Sequence, residues 1–393
     1  MTSSILKCIA CGKEFALDEV RFTCTCGNLL DVSHDLRGLK KKFHLSKRFF
    51  AAKSQELNGR PSGGVWHFGE LVLPGIRANE IISKQEGYTR LHRSKKVSAW
   101  LGLPHFFLKH EGENPTGSFK DRGMTVAVTQ AKRLGQRAVV CASTGNTSAS
   151  LAAYASEADI TGLVLIPKGN VAVGKISQAL AYGAKTLVVN GDFDDCMRLI
   201  VESQEKLRAY PLNSINPFRL EGQKTIIWET LQQLDWKLPD WFVFPGGNLG
   251  NTSAFGKALH EALELGLIAG MPRFAVIQAE GASPFYRAFL GGFKKLVPQK
   301  AETIATAIRI GNPANYAKAI RSLQWTNGIV ESVTDDEILE AKAVFDSAAR
   351  KSYPQALILR MLTADNVSWD AGKGKVRKVA PTAQSSGNRP SMA

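Results

Sequence analysis

Long hydrophobic runs are absent from this chain of 393 residues. No segment reaches the roughly 18 consecutive apolar residues that a membrane-spanning helix needs, so no membrane partner is expected. The first residues, Met1 to Lys7, also lack the apolar core of a secretory signal peptide. These absences predict a cytoplasmic protein.

Acidic residues are fewer than basic ones, with 35 Asp and Glu against 50 Lys and Arg and a net charge of +15. Such an excess can indicate nucleic-acid binding. However, residues 350–393 alone hold eight Lys or Arg and only two Asp or Glu. The rest of the chain has no cluster that interleaves aromatic and basic residues. Nucleic acid is therefore not an expected partner.

Cysteine is scarce, and four of the six cysteines form two close pairs, Cys8 with Cys11 and Cys24 with Cys26. Two thiolate pairs on facing turns are usual ligands of a structural zinc ion, so the spacing resembles a zinc ribbon. The one-residue gap in the second pair is tighter than the usual gap of about two to four residues. The alternatives are a reduced, metal-free knuckle or disulfides, which a cytosolic chain disfavours. Four thiolates would leave no open position for catalysis, so a bound metal would be structural.

The stretch from Glu113 to Lys120, E-N-P-T-G-S-F-K, places a lysine where a turn leads into a helix. Ser118 can cap that helix, and Asp121 stands where a capping box has its acidic residue. Lys120 would then lie in the first turn, where the positive end of the helix dipole lowers the pKa of an amine. A neutral amine is a nucleophile that can bond to an aldehyde. A solvated lysine is the alternative.

From residue 137 onward, strands and helices alternate. Buried strands are predicted at 138–142, 160–166 and 185–189, with helices at 147–155 and 175–181 between them. This alternation predicts a parallel sheet, whose ligand crevice lies beyond the carboxyl ends of its strands.

Two loops in such positions can bind anions. The first contains Ser143, Thr144, Asn146 and Thr147, whose hydroxyl and N–H groups converge at a helix start. The second follows a strand at 241–244 and is rich in glycine, so that successive N–H groups can form a nest for a phosphate. Its residues are Gly246, Gly247, Asn248, Leu249, Gly250 and Asn251. Ordinary helix capping and a plain strand-to-helix turn are the alternatives.

Three motifs, in this order, resemble threonine synthase: Gly-Ser-Phe-Lys-Asp-Arg at 117–122, Ala-Ser-Thr-Gly-Asn-Thr-Ser-Ala at 142–149 and Pro-Gly-Gly-Asn-Leu-Gly-Asn at 245–251. This family consists of pyridoxal-phosphate enzymes with the tryptophan-synthase β-subunit fold, fold type II. The resemblance runs from Cys8 to Ala348.

The resemblance implies an α/β protein with two three-layer α/β/α domains, the cofactor between them and a zinc-ribbon-like N-terminal knuckle. The implied division assigns residues 1–34 to the knuckle, 35–125 and 210–348 to the larger domain, and 126–209 to the smaller one. Residues 349–393 form an atypical basic tail that is predicted to be partly disordered.

The resemblance also assigns roles to single residues. Lys120 would carry pyridoxal 5′-phosphate, Asn146 would hydrogen-bond its phenolic oxygen, and residues 246–251 would hold its phosphate. Ser143, Thr144 and Thr147 would bind the carboxylate of the substrate. The phosphate of the substrate would be bound by Lys175, Asn213, Ser214 and Arg219. A surface salt bridge is the alternative for Lys175 and Arg219.

The implied reaction converts O-phosphohomoserine and water to L-threonine and phosphate by β,γ-elimination and replacement, and family analogy predicts a homodimer. After Ala348 the resemblance ends, since the Gly-x-Gly-Cys-Glu-Pro-Ala-Ser segment and the later Thr-Gly-His turn of the family are missing. Two alternatives therefore stay open. One is a catalytically impaired or non-enzymatic paralogue, and the other is a related lyase, such as cysteate synthase, acting on another phosphorylated amino acid.

Overall fold

The computed structural model describes residues 4–55, 64–168, 173–191, 195–200, 209–349, 356–360, 367–370 and 375–378. Its strands are β1 (Ser4–Cys8), β2 (Glu14–Phe15), β3 (Leu30–His34), β4 (Leu91–His92), β5 (Phe106–His110), β6 (Ala138–Ala142), β7 (Thr161–Pro167), β8 (Lys185–Val189), β9 (Ala209–Pro211), β10 (Trp241–Pro245), β11 (Arg273–Ala279), β12 (Ile329–Val333), β13 (Ala356–Arg360), β14 (Val367–Asp370) and β15 (Lys375–Lys378). Its helices are α1 (Leu36–Phe43), α2 (Lys47–Gln55), α3 (Gly69–Val72), α4 (Lys95–Leu101), α5 (Lys120–Arg133), α6 (Asn146–Glu157), α7 (Val173–Ala181), α8 (195–200), α9 (Pro217–Gln233), α10 (Gly250–Glu264), α11 (Pro284–Leu290), α12 (Tyr316–Thr326) and α13 (Asp335–Ala349).

A small antiparallel sheet at the N-terminus has the strand order β2-β1-β3. Its strand β3 forms hydrogen bonds and ion pairs with α9 and α12, two helices that are distant in the sequence. Lys318 donates to the carbonyl of Leu30 at 2.6 Å and pairs with Asp31 at 2.8 Å, and His34 lies 2.7 Å from Glu221. The N-terminal segment is therefore packed against α9 and α12.

The sheet of β6 to β9 shows the predicted alternation. Its order is β8-β7-β6-β9 and every pair is parallel, so α6 and α7 serve as the crossovers that parallel strands need. The strands predicted at 138–142 and 185–189 have those bounds in the structure. The carboxyl end of the central strand β6 leads directly into the loop that contains Ser143 and Asn146.

The second large sheet has the order β12-β11-β10-β13-β5-β4. Strands β10, β11 and β12 are parallel, whereas β13 runs antiparallel to both of its neighbours, β10 and β5. β13 belongs to the segment predicted as a tail, and its apolar run Ala-Leu-Ile-Leu suits a strand inside a sheet. β14 and β15 pair with each other, and the other residues beyond Ala349 lie outside the described part of the chain.

Helices α5 and α9 touch backbone to backbone where they cross. A Cβ atom on Gly222 would lie only 1.7 Å from the carbonyl oxygen of Arg122. A Cβ atom on Gly123 would lie 2.9 Å from the carbonyl oxygen of Arg219. The two glycines therefore allow a close crossing that sets the first turn of α9 beside the first turn of α5. In the part of the chain that is described, no helix has both the length and the hydrophobicity to span a membrane.

Candidate active site

The turn before Lys120 is fixed by hydrogen bonds on both sides. Gly117 adopts a φ of +81°, which favours glycine, and its N–H donates to the carbonyl of Asn114 at 2.8 Å. The helix begins at Lys120, whose N–H donates to the hydroxyl of Ser118 at 3.3 Å. The turn therefore places Lys120 at the first position of α5.

The predicted capping box between Ser118 and Asp121 is wrong. The carboxylate of Asp121 is buried and accepts hydrogen bonds from the N–H of Thr116 at 2.7 Å, its hydroxyl at 2.6 Å and the hydroxyl of Ser150 at 2.5 Å. Burial raises the pKa of Asp121 to about 6. Asp121 therefore ties the turn before α5 to helix α6, because these inward-facing donors outcompete the N–H of Ser118.

Lys120 has the depressed pKa that a nucleophilic amine needs, although the main cause differs from the predicted helix dipole. Burial lowers the pKa of its ammonium from 10.5 to about 7, and the positive charge of Arg219 lowers it further. A large fraction of this amine is consequently neutral near pH 7.

Arg219 is buried, with 1% of its surface exposed. One terminal nitrogen donates to the carbonyl of Leu212 at 3.1 Å, while its Nε has no acceptor and no carboxylate pairs with it among the described residues. Burial lowers the pKa of Arg219 to about 10. Because a buried charge without a counter-ion is costly, this position suits a bound anion.

The loop after β6 presents polar groups at the start of α6. Within it, the hydroxyl of Ser143 accepts the N–H of Gly145 at 3.1 Å. Thr144, Asn146 and Thr147 are partly buried, and the Oδ1 atom of Asn146 has no hydrogen-bond partner in the described structure. The first N–H groups of α6 also lack acceptors within the helix. These residues can bind a polar or anionic ligand.

The glycine-rich loop between β10 and α10 is held at its first residue. Gly246 donates to the carbonyl of Ile277 at 2.7 Å and accepts from the amide of Gln278 at 2.7 Å. Leu249 has a φ of +60°, and a Cβ on Gly247 would lie 3.1 Å from the Cα of Ile308. The backbone of the loop at Gly247 therefore packs closely against the segment around Ile308. At the start of α10, the Oδ1 atom of Asn251 is buried without a partner among the described residues.

Asn213 and Ser214 connect the two loops. The amide of Asn213 accepts from the N–H of Ala142 at 3.2 Å and donates to its carbonyl at 3.1 Å, leaving one amide hydrogen for a ligand. The hydroxyl of Ser214 accepts from the amide of Asn248 at 2.9 Å. These contacts give both residues a supporting role that their sequence motif did not predict. Lys175 lies in α7, but its side chain is outside what the structure describes.

Sequence reasoning missed a buried ionic network under the start of α5. Arg122 donates to Glu111 at 2.7 Å and to Glu229 at 2.9 Å, and Lys109 also pairs with Glu229. Thr89 donates its hydroxyl to Glu111 at 2.7 Å. Two cations and two carboxylates balance, so the network can remain charged in the core. The available signal was Lys109, a charged residue that directly follows the apolar residues 106–108 within a strand.

The four N-terminal cysteines are brought together. The Sγ atoms of Cys8 and Cys26 lie 3.5 Å apart and those of Cys11 and Cys24 lie 3.6 Å apart, and all four lie within 4.8 Å of one another. Zinc–sulfur bonds of about 2.3 Å imply sulfur–sulfur distances of about 3.8 Å in a tetrahedral site. A hydrogen bond from the backbone of Asn28 lowers the pKa of Cys26 to about 6. The donor set therefore fits a zinc ion.

A protein-family profile and two curated proteins each match most of this chain. The profile of the family described as "Pyridoxal-phosphate dependent enzyme" matches residues 82–346. Threonine synthase from Methanocaldococcus jannaschii is 47% identical over 337 residues, covering 86% of this chain and 80% of the relative. Threonine synthase from Methanosarcina acetivorans is 48% identical over 341 residues, with the same two coverages.

Among solved structures, threonine synthase from Escherichia coli aligns with a TM-score of 0.64 and 17% identity, covering 89% of this chain and 82% of that one. At this identity the likeness concerns the fold. The predicted α/β architecture of fold type II is confirmed.

Proposed function

The chain belongs to the pyridoxal-phosphate dependent enzymes and, within them, to the threonine synthases, and we propose that it converts O-phosphohomoserine and water to L-threonine and phosphate. The observation that carries this proposal is Arg219, a buried guanidinium that no described carboxylate neutralises and that lies close enough to Lys120 to lower its pKa. An amine and an anion site side by side suit a phosphorylated amino acid better than a plain hydroxy amino acid.

The residues present fit the cofactor. Lys120 would hold pyridoxal phosphate covalently, Asn146 would bind its phenolic oxygen, and the loop from Gly246 to Asn251 would bind its phosphate. In support, the Oδ1 atoms of Asn146 and Asn251 are buried without a partner in the described structure, so no hydrogen bond at Oδ1 fixes either amide and its N–H groups can turn to donate to an oxygen of the cofactor. When bound, the cofactor supplies an electron-withdrawing ring that stabilises negative charge at the Cα atom of the amino acid.

The protein's own residues would supply binding and proton transfer. Once the amine of the substrate has replaced it on the cofactor, Lys120, with its pKa of about 7, would take the proton from the Cα atom of the substrate and return it. Arg219 would bind the phosphate of the substrate and stabilise the charge that grows as phosphate leaves. Lys175, Asn213 and Ser214 would assist there, while Ser143, Thr144 and Thr147 would bind the carboxylate through hydroxyl and N–H groups.

The test is the release of phosphate and threonine from O-phosphohomoserine by the purified chain with pyridoxal phosphate. We expect equal amounts of both products, no release by Lys120→Ala and normal release by Lys95→Ala, which changes an exposed lysine on α4. If the chain bound the cofactor but released no product, it would be a non-enzymatic paralogue. Cysteate formation from phosphoserine and sulfite would assign the related lyase.

A structural zinc ion in the cysteine knuckle is part of the proposal. It is supported by sulfur–sulfur distances of 3.5 and 3.6 Å, close to those of a tetrahedral thiolate site. Elemental analysis of the purified chain should find one zinc per chain, and Cys8→Ser should lose it. A wild-type chain that is fully folded without metal would contradict this part.

The homodimer, the cytoplasmic location and the domain division complete the proposal. Light scattering should give twice the mass of one chain, and a fluorescent fusion should be spread through the cytoplasm. Hydrogen exchange should show residues 126–209 opening as one unit, distinct from residues 35–125 and 210–348. A monomeric mass, another location or a single opening unit would contradict the corresponding part of the proposal.

A further inference from the structure

We propose that His92, His110 and Glu113 form a second metal site, which takes one divalent transition-metal ion such as Ni²⁺ or Zn²⁺. The three residues lie at the β4 edge of the larger sheet, just before the turn that leads to Lys120. They are separate from the cysteine knuckle and from the residues assigned above to the cofactor and the substrate.

Sheet register brings the two histidines together. β4 and β5 are antiparallel, with His92 directly opposite Leu108. His110 is two residues further along β5, so the two histidines are diagonal neighbours on the same face of the sheet. Their ring centroids are 5.9 Å apart. The side chain of Glu113 lies beside both histidines, because the chain makes a single 3-10 turn, Glu111–Glu113, immediately after β5.

The donor atoms are spaced for coordination. The Oε1 atom of Glu113 lies 3.6 Å from Nε2 of His92 and 3.3 Å from Nδ1 of His110. Zinc bonds to nitrogen and oxygen of about 2.0–2.2 Å place adjacent ligand atoms about 3.4 Å apart in a tetrahedron. All three side chains keep some exposure, from 12% for His110 to 27% for His92, so the cluster lies close to the protein surface. Two imidazoles and one carboxylate are ligands that zinc and nickel accept.

Arg90 shows both how the carboxylate is oriented and what competes with the metal. Its backbone N–H donates to Oε2 of Glu113 at 2.7 Å, which turns Oε1 towards the histidines. Its side chain donates to Oε1 at 2.6 Å but is 67% exposed, so it can move into solvent when a metal binds. The guanidinium is therefore a competing cation, and its removal should strengthen metal binding.

Another cluster of possible ligands, His34 with Glu221 and Glu261, carries no such inference. There the ammonium of Lys224 lies 2.5 Å from Glu221 and 2.8 Å from Glu261, and Lys257 also pairs with Glu221. These buried cations already occupy the carboxylates and would repel a dication. The cluster of His92, His110 and Glu113 contains no buried lysine or arginine of this kind among the described residues.

The experiment first loads the tag-free full chain with one equivalent of Zn²⁺, which the four thiolates of the cysteine knuckle would take, and removes any excess. Ni²⁺ is then titrated in, and binding is followed by calorimetry. We expect one Ni²⁺ per chain. His92→Ala and Glu113→Gln should each weaken binding by more than about tenfold, since even the loss of an outer-sphere partner costs roughly 10–100-fold. His105→Ala, which removes an exposed histidine, should leave the affinity unchanged. Arg90→Gln should increase it.

Ni²⁺ affinity that is the same in wild type, His92→Ala and Glu113→Gln would overturn the proposal, as would wild-type binding weaker than about 1 mM. A second measurement needs no variant and covers the case in which a substitution impairs folding. Ni²⁺ should protect His92 and His110, but not His105, from modification by diethylpyrocarbonate, as read by mass spectrometry. Equal modification of all three with and without Ni²⁺ would also overturn the proposal.

Discussion

Gly222→Ala should disturb both stability and anion binding, because it adds one carbon where α9 touches the backbone of α5. The new Cβ would start 1.7 Å from the carbonyl oxygen of Arg122 and 2.5 Å from its carbonyl carbon. The closest comfortable carbon–oxygen approach is about 3.3 Å, so the helices must separate there by about 1.6 Å. The obstacle is backbone, so a change of side-chain rotamer cannot relieve it.

The size of the effect follows from two opposing terms. Overpacking of a well-packed core costs about 1–3 kcal/mol and occasionally more, whereas alanine in place of glycine gains about 1 kcal/mol in a helix. A displacement of about 1.6 Å should cost the upper end of the overpacking range, about 3 kcal/mol. After the gain of about 1 kcal/mol from alanine, we expect the free energy of unfolding to fall by about 2 kcal/mol or more. Arg219 is one turn before Gly222 and should move with the helix. A displacement of about 1 Å can lower turnover by about a hundredfold.

Urea unfolding and phosphate release from O-phosphohomoserine measure the two effects. Gly69→Ala is the matched control, since its Cβ would meet only a ring carbon of Trp66 at 3.8 Å, an ordinary contact distance. It should leave both quantities within experimental error of wild type. If Gly222→Ala also left the free energy of unfolding within about 0.5 kcal/mol of wild type, the close helix crossing would be refuted.

Four further predictions concern the site and its support. Lys120→Ala should remain folded by circular dichroism but show no visible absorbance from lysine-bound cofactor; a cofactor still fixed by borohydride would place it on another lysine. Arg219→Ala should lower the calorimetric affinity for inorganic phosphate roughly ten- to a hundredfold, because a charge-assisted pair is worth about 1.5–3 kcal/mol, and an unchanged affinity would move the anion site elsewhere. Lys120 is protonated below its pKa of about 7, so the rate of covalent attachment of pyridoxal phosphate, followed by absorbance, should rise with pH through about 7 and then level off; a midpoint near the ordinary lysine value would contradict this. Glu229→Gln should lower the free energy of unfolding by about 3–5 kcal/mol, because Arg122 and Lys109 lose a buried carboxylate, whereas the exposed Glu340→Gln should not; equal effects of the two in urea would show that the network is not buried.

Local patterns in the sequence were sufficient for much of the fold. Strands such as 138–142 are continuous apolar runs, and their bounds depend on side chains within a few residues. The two loops that are predicted to bind anions were recognisable for the same reason, since glycine and hydroxyl residues follow directly after such strands. The assignment of individual ligands within those loops stays a prediction.

What could not be read from the sequence depends on residues distant along the chain. Asp121 has the spacing of a capping residue, but Ser150, which is 29 positions away, is one of its real partners. Arg122 meets Glu229 across 107 positions. The strand β13 inserts between β10 and β5, although the residues around it gave no sign of a family element. In each case tertiary contacts override what the local pattern favours.

The contacts that β3 makes with α9 and α12 have a practical consequence for expression and purification of this protein. His34 binds Glu221, which is two residues beyond Arg219 on α9, and Asp31 neutralises Lys318 inside the protein. A shortened chain that starts after residue 35 would leave the buried Lys318 without its carboxylate partner and would remove His34 from Glu221, and it should aggregate during expression rather than yield a smaller enzyme. Chelators should be left out of purification buffers for the same reason, because loss of the proposed zinc ion would loosen β3, the strand whose His34 contacts Glu221 on α9.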